Sequence, residues 1–270
     1  MATALTIAGS DSGGGAGIQA DLKTFAAHGV YGVSAIAALT AQNTREVRSV
    51  HLVPAAFIVQ QIEAVADDID VHAVKTGMLA TARIVEVVAD TIARRRLPNL
   101  VVDPVMVAKS GDRLLAEDAV DAVRRTLLPL AAVITPNRGE AEVLTGRSVG
   151  SRQEARDAAR RLVDLGAGAA VVKGGHFDEP DVVDLLYDGT AFHEFRSTRL
   201  ATRSTHGTGC TFAAAIAAHL ALGHAPDVAV PQAVEYVAGA IRHGLAIGGG
   251  HGPLDHFWRG SQPPAPLKKL

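Results

Sequence analysis

Ser204-Thr205-His206-Gly207-Thr208-Gly209-Cys210-Thr211 is a glycine-rich turn that runs directly into the alanine-rich segment 212–220. The alanines predict a helix that begins at the turn, because alanine has the highest helix propensity. The first N–H groups of such a helix have no partner within it and carry about half a positive charge. Gly207 and Gly209 lack a Cβ, so an anion could approach this backbone closely. We interpret the turn as a candidate anion hole; the alternative is an ordinary glycine-rich loop before a buried helix.

The composition of the 270-residue chain indicates the kind of core that this helix joins. Hydrophobic residues make up 48% of the chain but aromatic residues only 4%, so the core is built from Ala, Val, Ile and Leu. Such a core favours parallel strands covered on both faces by helices. The formal net charge of -2 gives no reason to expect nucleic acid or a membrane surface as a partner.

The single cysteine, Cys210, excludes an intrachain disulfide and fits a reducing compartment. The first residues lack the basic region of a signal peptide, and no apolar run reaches the roughly 18 residues that a membrane span needs. We therefore expect a soluble, cytoplasmic protein.

Apolar runs that predict buried strands alternate along the chain with helical segments. A hairpin turn is predicted at Asp188-Gly189. This alternation indicates a parallel sheet with helices on both faces, and we predict one domain over residues 1–260. The proline-rich last residues, 261–270, are predicted to be a disordered tail. The predicted buried strands are 4–8, 32–39, 72–76, 100–102, 132–135 and 169–172.

Polar motifs follow these predicted strands. In open parallel sheets ligands bind outside the carboxyl ends of the strands, so we expect the motifs to converge on one site. They cover residues 9–17, 40–44, 77–78, 103–111, 136–140 and 173–176.

Two nucleotide signatures can be tested directly. Gly15-Ala16-Gly17-Ile18-Gln19-Ala20 matches the relaxed dinucleotide fingerprint, but the second predicted strand is followed by Thr40-Ala41-Gln42 instead of the acid that would bind the ribose. This argues against a nucleotide-dependent oxidoreductase. The chain also has no Walker A loop, so a nucleoside triphosphate would need a different phosphate cradle.

The remaining motifs fit phosphoryl transfer without a P-loop. That chemistry needs positive groups on the phosphates, a divalent metal and a group that orients the attacking hydroxyl. The turn at 207–209 could supply donors, Lys173 a point charge, and Asp103 with Glu140 could hold Mg²⁺ directly or through water. Cys210 is placed to face the hydroxyl. The ordinary alternatives are a first-turn helix residue for Glu140, a solvated lysine for Lys173 and a turn former for Asp103.

Taken together, these motifs resemble the hydroxymethylpyrimidine/phosphomethylpyrimidine kinases of thiamine biosynthesis, which belong to the ribokinase-like superfamily. The resemblance covers residues 4–258, and its most specific parts are the opening 8–25 and the turn 206–210. The motifs that carry it are Ala8-Gly9-Ser10-Asp11-Ser12-Gly13-Gly14-Gly15-Ala16-Gly17-Ile18-Gln19-Ala20-Asp21-Leu22-Lys23-Thr24-Phe25, Ala41-Gln42-Asn43-Thr44, Lys75-Thr76-Gly77-Met78-Leu79, Asp103-Pro104-Val105-Met106-Val107-Ala108-Lys109-Ser110-Gly111, Thr135-Pro136-Asn137-x-x-Glu140, Lys173-Gly174-Gly175-His176 and His206-Gly207-Thr208-Gly209-Cys210.

The resemblance implies a ribokinase-like three-layer α/β/α fold with a mostly parallel central sheet and a small β edge or lid. It implies an ATP- and Mg²⁺-dependent kinase that phosphorylates hydroxymethylpyrimidine and then converts the monophosphate to the diphosphate. It also implies a homodimer, because relatives usually pair through the lid.

The resemblance further implies a substrate pocket. A carboxylate and a carboxamide suit the amine and ring nitrogens of an aminopyrimidine, while Met78 and Val105 would enclose the flat ring. The alternative for Asp21 is a first-turn helix residue. The implied pocket residues are Gly9, Asp21, Gln42, Met78 and Val105.

A second, anionic acceptor calls for additional positive groups, for which Lys109 and His206 are the candidates; Lys109 could instead be a solvated loop charge. For ATP the candidates are Asn137, Lys173, Thr208 and Gly209. For catalysis they are Lys173, Gly207, Thr208, Gly209 and Cys210.

Cys210 occupies the helix-start position at which the wider superfamily usually carries an aspartate base. A thiol at a helix N-terminus can ionise near neutral pH and accept a proton from an alcohol, so we expect Cys210 to be the base.

Two other functions remain open at this point. A pyridoxal/pyridoxamine kinase is the nearest enzyme, although Gln42 favours the pyrimidine. A non-catalytic vitamin-precursor sensor would be expected to have lost Cys210, Lys173 or Asp103, and all three are present.

Overall fold

The computed structural model describes residues 1–107, 111, 114–176 and 181–260. Its strands are β1 (Thr3–Asp11), β2 (Tyr31–Gln42), β3 (Val47–Leu52), β4 (Ala73–Thr76), β5 (Leu100–Val102), β6 (Ala131–Ile134), β7 (Ala170–Val172), β8 (Asp181–Tyr187) and β9 (Phe192–Thr198). Its α-helices are α1 (Gly17–Ala27), α2 (Ala55–Ala66), α3 (Ala82–Arg95), α4 (Glu117–Ala122), α5 (Arg138–Thr145), α6 (Arg152–Asp164), α7 (Thr208–Ala221) and α8 (Pro226–Arg242).

The strands of the described chain form one sheet in the order β3-β2-β1-β4-β5-β6-β7-β8-β9. The pairs from β2 to β7 are parallel, whereas β3 at one edge and the β8–β9 hairpin at the other are antiparallel. Consecutive parallel strands are joined through helices, so their carboxyl ends lie along the same side of the sheet.

Alternate residues of the strands point to opposite faces of the sheet and pack into two separate hydrophobic cores. On one face Val74 and Val102 pack with α2 to α6, and on the other Ala73 and Val101 pack with α1, α7 and α8. In α7 every residue from Thr211 to Ala221 is buried, which explains its run of alanines: a helix with no exposed face needs small side chains. The three-layer α/β/α arrangement with a mostly parallel sheet is therefore confirmed.

Several helices begin where the sequence indicates. Thr81 caps α3 through the Ile84 N–H, and Ser151 caps α6 through the Glu154 N–H. Asn137 and Glu140 form a complete capping box at the start of α5. Each cap satisfies a backbone N–H that the first helical turn leaves without a partner.

Two elements differ from the prediction. β2 continues to Gln42 and pairs with β3, which the sequence does not reveal because most β3 side chains are exposed and it lacks a buried face. The sequence from Glu117 to Leu128 predicts one continuous helix, but α4 ends at Ala122 and the chain continues as a π-turn over Val123–Leu127 and a 3₁₀ turn over Leu128–Leu130. Pro129 has no N–H to continue the helical ladder.

Within the described ranges, no helix is long and apolar enough to cross a membrane. Lys109 and the tail 261–270 lie outside the described residues.

Candidate active site

The turn at 204–211 adopts a backbone that requires glycine. Gly207 is the N-cap of α7 and has a φ of 83°, in the left-handed region. A Cβ on Gly207 would lie 1.8 Å from the carbonyl oxygen of Gly15. The glycine-rich loop after β1 therefore packs directly on the turn, and the two motifs of highest specificity meet in space.

Gly209 connects the turn to the charged residues at the neighbouring strand ends. A Cβ on Gly209 would lie 3.3 Å from Lys173 Nζ and 3.8 Å from Asp103 Oδ2. The turn, the end of β7 and the end of β5 are thus brought together as the strand-end rule predicts. The first turn of α7 and the Lys173 ammonium therefore lie side by side at this edge of the sheet.

Lys173 lies between two carboxylates. Its Nζ is 3.2 Å from Asp103 Oδ1 and 3.9 Å from Glu140 Oε2. Burial alone would lower the pKa of Lys173, but the two carboxylates outweigh it and raise the pKa. Burial, reinforced by the repulsion of Asp103, raises the pKa of Glu140 to about 7. Lys173 therefore stays cationic and holds both carboxylates at the site.

This pair of carboxylates fits Mg²⁺ that is held largely by water and phosphate. Asp103 Oδ2 is buried and has no hydrogen-bond partner among the described residues, so it is available as a hard oxygen ligand. No group of three or more His, Cys, Asp or Glu side chains in the described ranges could hold a metal. A cage made of protein ligands alone is thus not formed here, but Mg²⁺ commonly binds through one or two carboxylates together with substrate phosphates.

Cys210 lies in the first turn of α7 and is half-buried. Burial raises the pKa of its thiol to about 11, although nearby Lys75 and the Gly17 N–H act in the opposite direction. The expectation that this thiol ionises near neutral pH is therefore wrong for the ligand-free protein. The desolvation by its surroundings outweighs the helix N-terminus.

Two of the implied pocket residues, Gly9 and Met78, are in close contact. A Cβ on Gly9 would be 3.2 Å from Met78 Sδ, so the absence of a side chain at Gly9 leaves room for the methionine. Met78 packs with Ala38, and Gln42 ends β2. Val105 lies two residues after Asp103 and is half-buried. The structure thus brings Gly9 and Met78 together, and the placement of Gln42 and Val105 in the same pocket remains a prediction.

Asp21 is buried more deeply than a surface substrate contact would require. Its Oδ2 accepts hydrogen bonds from Thr6 Oγ1 at 2.6 Å and Lys75 Nζ at 2.9 Å, and neither Asp21 nor Lys75 has any exposed side-chain surface. Its Oδ1 is buried without a partner among the described residues. Contact between Asp21 and the substrate remains a prediction, and that oxygen is the atom that could make it.

His206 and Asn137 are both held by other groups at the site. His206 Nε2 lies 2.9 Å from Asp11 Oδ2, and both side chains are almost fully buried. Asn137 Oδ1 accepts the Glu140 N–H, and the backbone of Asn137 bridges to Lys173 as an extension of the β6–β7 pairing. Their roles toward substrates remain predictions.

Sequence reasoning missed two charged residues, Lys75 and Asp11. Each left a signal. Lys75 is a charge within the apolar strand β4, which requires a buried partner. Asp11 lies two residues before a glycine run, where a carboxylate commonly accepts N–H groups of the following turn.

A mostly parallel α/β sheet covered by helices on both faces, in a chain without a Walker A loop, is typical of the ribokinase-like class of phosphotransferases. The family model described as phosphomethylpyrimidine kinase matches residues 11–255. The chain belongs to this family.

Three comparisons show how similar this chain is to known proteins. The hydroxymethylpyrimidine/phosphomethylpyrimidine kinase of Streptomyces coelicolor is 52% identical over 94% of both chains. The thiamine biosynthesis bifunctional protein ThiED of Geobacter sulfurreducens is 51% identical over 94% of this chain, which spans only 52% of that longer protein. The structure of Bacillus subtilis pyridoxal kinase in complex with ADP matches with a TM-score of 0.88 and 41% identity, covering 95% of this chain and 97% of that one.

Proposed function

We propose that this enzyme transfers phosphate from ATP to 4-amino-5-hydroxymethyl-2-methylpyrimidine and then phosphorylates the monophosphate to the diphosphate, in thiamine biosynthesis. The observation that carries the proposal is the position of Gly209, which lies in the first turn of α7 and faces the Lys173–Asp103 pair. The name of the Streptomyces relative supports the same substrates.

The phosphates of ATP would bind at the start of α7. The main demand of phosphoryl transfer is to stabilise the negative charge that develops on the transferred group. The backbone N–H groups of Thr208 and Gly209, together with the Lys173 ammonium, would do so. Asp103 and Glu140 would hold Mg²⁺, which neutralises phosphate charge when bound. The ATP role of Asn137 would then use its amide nitrogen, because its Oδ1 caps α5.

The acceptor alcohol would lie toward Cys210, between the phosphates and Gln42. A thiol with a pKa of about 11 is mostly protonated at neutral pH, so Cys210 cannot be a preformed base. Phosphoryl transfer depends chiefly on position and charge, and the hydroxyl proton leaves late. We assign Cys210 to orienting the hydroxyl and to accepting its proton only in the minority thiolate form.

The second phosphorylation brings an anion to the acceptor position. His206 belongs to the turn and lies between Asp11 and Gln42, so it could contact that phosphate. Lys109 lies outside the described residues, and its role as a phosphate contact is proposed from the sequence alone.

Pyridoxal phosphorylation is the second candidate, because the Bacillus pyridoxal kinase shares the fold at 41% identity. Initial rates with ATP and Mg²⁺ separate the two candidates when hydroxymethylpyrimidine, its monophosphate and pyridoxal are compared as acceptors. We expect kcat/KM to be highest for one of the pyrimidines. A higher kcat/KM for pyridoxal would overturn this assignment.

We also propose a cytoplasmic homodimer that pairs through β3. This strand lies at one edge of the sheet, and exposed apolar side chains, including Leu39, Val50, Leu52 and Phe57, lie on and around it. An exposed apolar edge strand is a typical pairing surface. Light scattering should give a dimer for the wild type and a monomer for Leu52→Lys; a wild-type monomer would contradict the proposal.

A further inference from the structure

Asp11 joins the glycine-rich loop to the His206 turn through four hydrogen bonds. Its Oδ1 accepts the Gly13 N–H at 2.7 Å, and its Oδ2 accepts the N–H groups of Gly15 and Ala16 at 3.0 and 2.8 Å. The fourth contact is with His206 Nε2 at 2.9 Å. Although burial opposes ionisation, these contacts lower the pKa of Asp11 below its ordinary value. The carboxylate is therefore ionised and accepts only.

An ionised acceptor determines which nitrogen of His206 carries a proton. A bare imidazole nitrogen at 2.9 Å from a carboxylate oxygen would be repelled, so Nε2 must carry the proton that it donates to Asp11. This holds for the neutral and the protonated ring alike. His206 Nε2 therefore cannot accept a hydrogen bond from the Gln42 amide.

The two ends of the Gln42 carboxamide are distinguished only by their neighbours. Its Nε2 faces His206 Nε2 at 3.4 Å, which places two donors together. Its Oε1 faces Thr40 Oγ1 at 3.2 Å, yet the single Thr40 proton is needed for the Ser10 carbonyl at 3.0 Å. Rotating the carboxamide by half a turn removes both conflicts. Its Nε2 then donates to Thr40 Oγ1, and its Oε1 faces the His206 Nε2–H, whose proton is donated to Asp11 and is shared with Oε1 as the weaker branch of a three-centre hydrogen bond.

We propose that Asp11 is a positioning residue for the Gln42 carboxamide. Asp11 fixes the Nε2–H tautomer of His206. His206 and Thr40 then hold the carboxamide with its oxygen toward His206 and its nitrogen toward Thr40. An aminopyrimidine presents a donor amine beside an acceptor ring nitrogen, so a fixed carboxamide selects the sense in which the ring binds. The specificity aspect rests on the proposed function; the orientation itself does not.

The orientation is tested by NMR on the whole chain without substrate. We expect a nitrogen spectrum of His206 with the proton on Nε2, and cross-relaxation from the Gln42 amide protons to the Thr40 methyl group. Amide protons of Gln42 that contact the His206 ring instead would overturn the proposal, as would a proton on Nδ1 alone.

The kinetic test uses Asp11→Asn and Thr40→Val. Loss of one such hydrogen bond is worth about 1.4 kcal/mol, so the KM for the pyrimidine should rise about 10-fold while the KM for ATP stays within about twofold. Two substitutions serve as matched controls. Asp70→Asn changes an exposed loop residue, and Thr145→Val removes a hydroxyl whose one hydrogen bond among the described residues is to the Ala141 carbonyl. Equal increases in both KM values would show a merely structural role and contradict the proposal.

Substitutions at His206 test whether Asp11 affects the pyrimidine KM through His206 or through a general effect on the site. His206→Gln can keep a donor near the Nε2 position, whereas His206→Asn is too short to do so. Asp11→Asn should add little to the pyrimidine KM of His206→Asn, because both remove the same interaction. If the two substitutions instead raise the pyrimidine KM additively, Asp11 does not act through His206 and the proposal is overturned. A wild type that phosphorylates no pyrimidine would instead defeat the proposed function, while the NMR result still decides the orientation.

Discussion

Lys75 Nζ lies 2.9 Å from Asp21 Oδ2 in an ion pair with no exposed side-chain surface on either partner. The pair connects β4 to the first half of α1 beneath the candidate active site. Burial raises the pKa of Asp21, while Asp21 and the neighbouring Cys210 and Asp103 raise that of Lys75 against the effect of its burial. Gly77 leaves room for the pair, since a Cβ there would lie 2.8 Å from Lys75 Nζ.

Removing one member of this pair should be more costly than removing both. Lys75→Met leaves the Asp21 carboxylate buried and unpaired, so we expect the free energy of unfolding to fall by about 3–5 kcal/mol. Asp21→Leu in the Lys75→Met background should recover most of that loss. Urea unfolding measures both variants.

The control for that experiment is a surface pair. Arg94 forms exposed ion pairs with Asp90 at 2.8 Å and Glu63 at 3.4 Å, so Arg94→Met should lower the free energy of unfolding far less than Lys75→Met does. A Lys75→Met variant that is no less stable than Arg94→Met would show that the buried pair is not required for the fold.

Replacing Cys210 by Ala should lower kcat by about 100-fold or more and change the KM for the pyrimidine little, because the thiol acts on the reacting hydroxyl. In the wild type, kcat should rise with pH above neutrality, since the thiol pKa of about 11 leaves only a minority thiolate at pH 7. Steady-state rates from pH 7 to 9 test both statements. An Ala variant with wild-type kcat would remove Cys210 from the mechanism.

Filling the space at Gly209 should block phosphate binding. The Cβ of Gly209→Val would lie within about 4 Å of Lys173 Nζ and Asp103 Oδ2, where the added methyl groups would shield both from the phosphate. We expect kcat/KM to fall by at least about 100-fold, as when a donor is lost from an oxyanion hole. Gly260→Val is the control, because the nearest atom to its Cβ would be the Phe257 carbonyl oxygen at 3.9 Å. A circular dichroism spectrum confirms folding; comparable rates for the two variants would refute the assignment.

Acid should destabilise the fold through His256. This buried side chain contacts Thr211 Oγ1, and burial lowers its pKa to about 4, below the ordinary value of 6.5. The unfolded chain therefore binds the proton first, so the stability that neutral His256 contributes is present above pH 6.5 and is lost as the pH falls toward 4. This one group should remove about 2 kcal/mol between pH 7.5 and 5.

The acid prediction is checked by urea unfolding of the wild type and of His256→Gln at both pH values. The difference between pH 7.5 and 5 should be smaller in His256→Gln. His51→Gln, at an exposed position of β3, is the control and should keep the wild-type difference. An unchanged pH dependence in His256→Gln would exclude His256 as its source. His219, whose pKa burial also lowers to about 4, should account for part of what remains.

The central parallel strands and the convergence of polar motifs at their ends follow from sequence periodicity, because buried parallel strands are apolar runs. The strand-end rule therefore places Lys173 and Asp103 at the same edge of the sheet from the sequence alone. The capping residues Asn137 and Ser151 are equally readable, since a cap depends on only a few neighbouring residues.

Other features depend on long-range packing and are not predictable in this way. β3 has no buried face that would mark it as a strand, and the partner of Lys75 lies 54 residues away in α1. The sequence misleads about the pKa of Cys210 because helix position is local, whereas desolvation depends on everything packed around the thiol. Roles toward ATP, Mg²⁺ and the pyrimidine remain proposals supported by this geometry.

The proposed function requires that this site phosphorylate one pyrimidine twice. The most direct measurement is a time course of the intact enzyme with ATP, Mg²⁺ and hydroxymethylpyrimidine, followed by mass spectrometry of the small molecules. We predict that the monophosphate appears first and is then replaced by the diphosphate. A pyrimidine that remains unphosphorylated, or a reaction that stops at the monophosphate while ATP and enzyme are intact, would contradict the double phosphorylation.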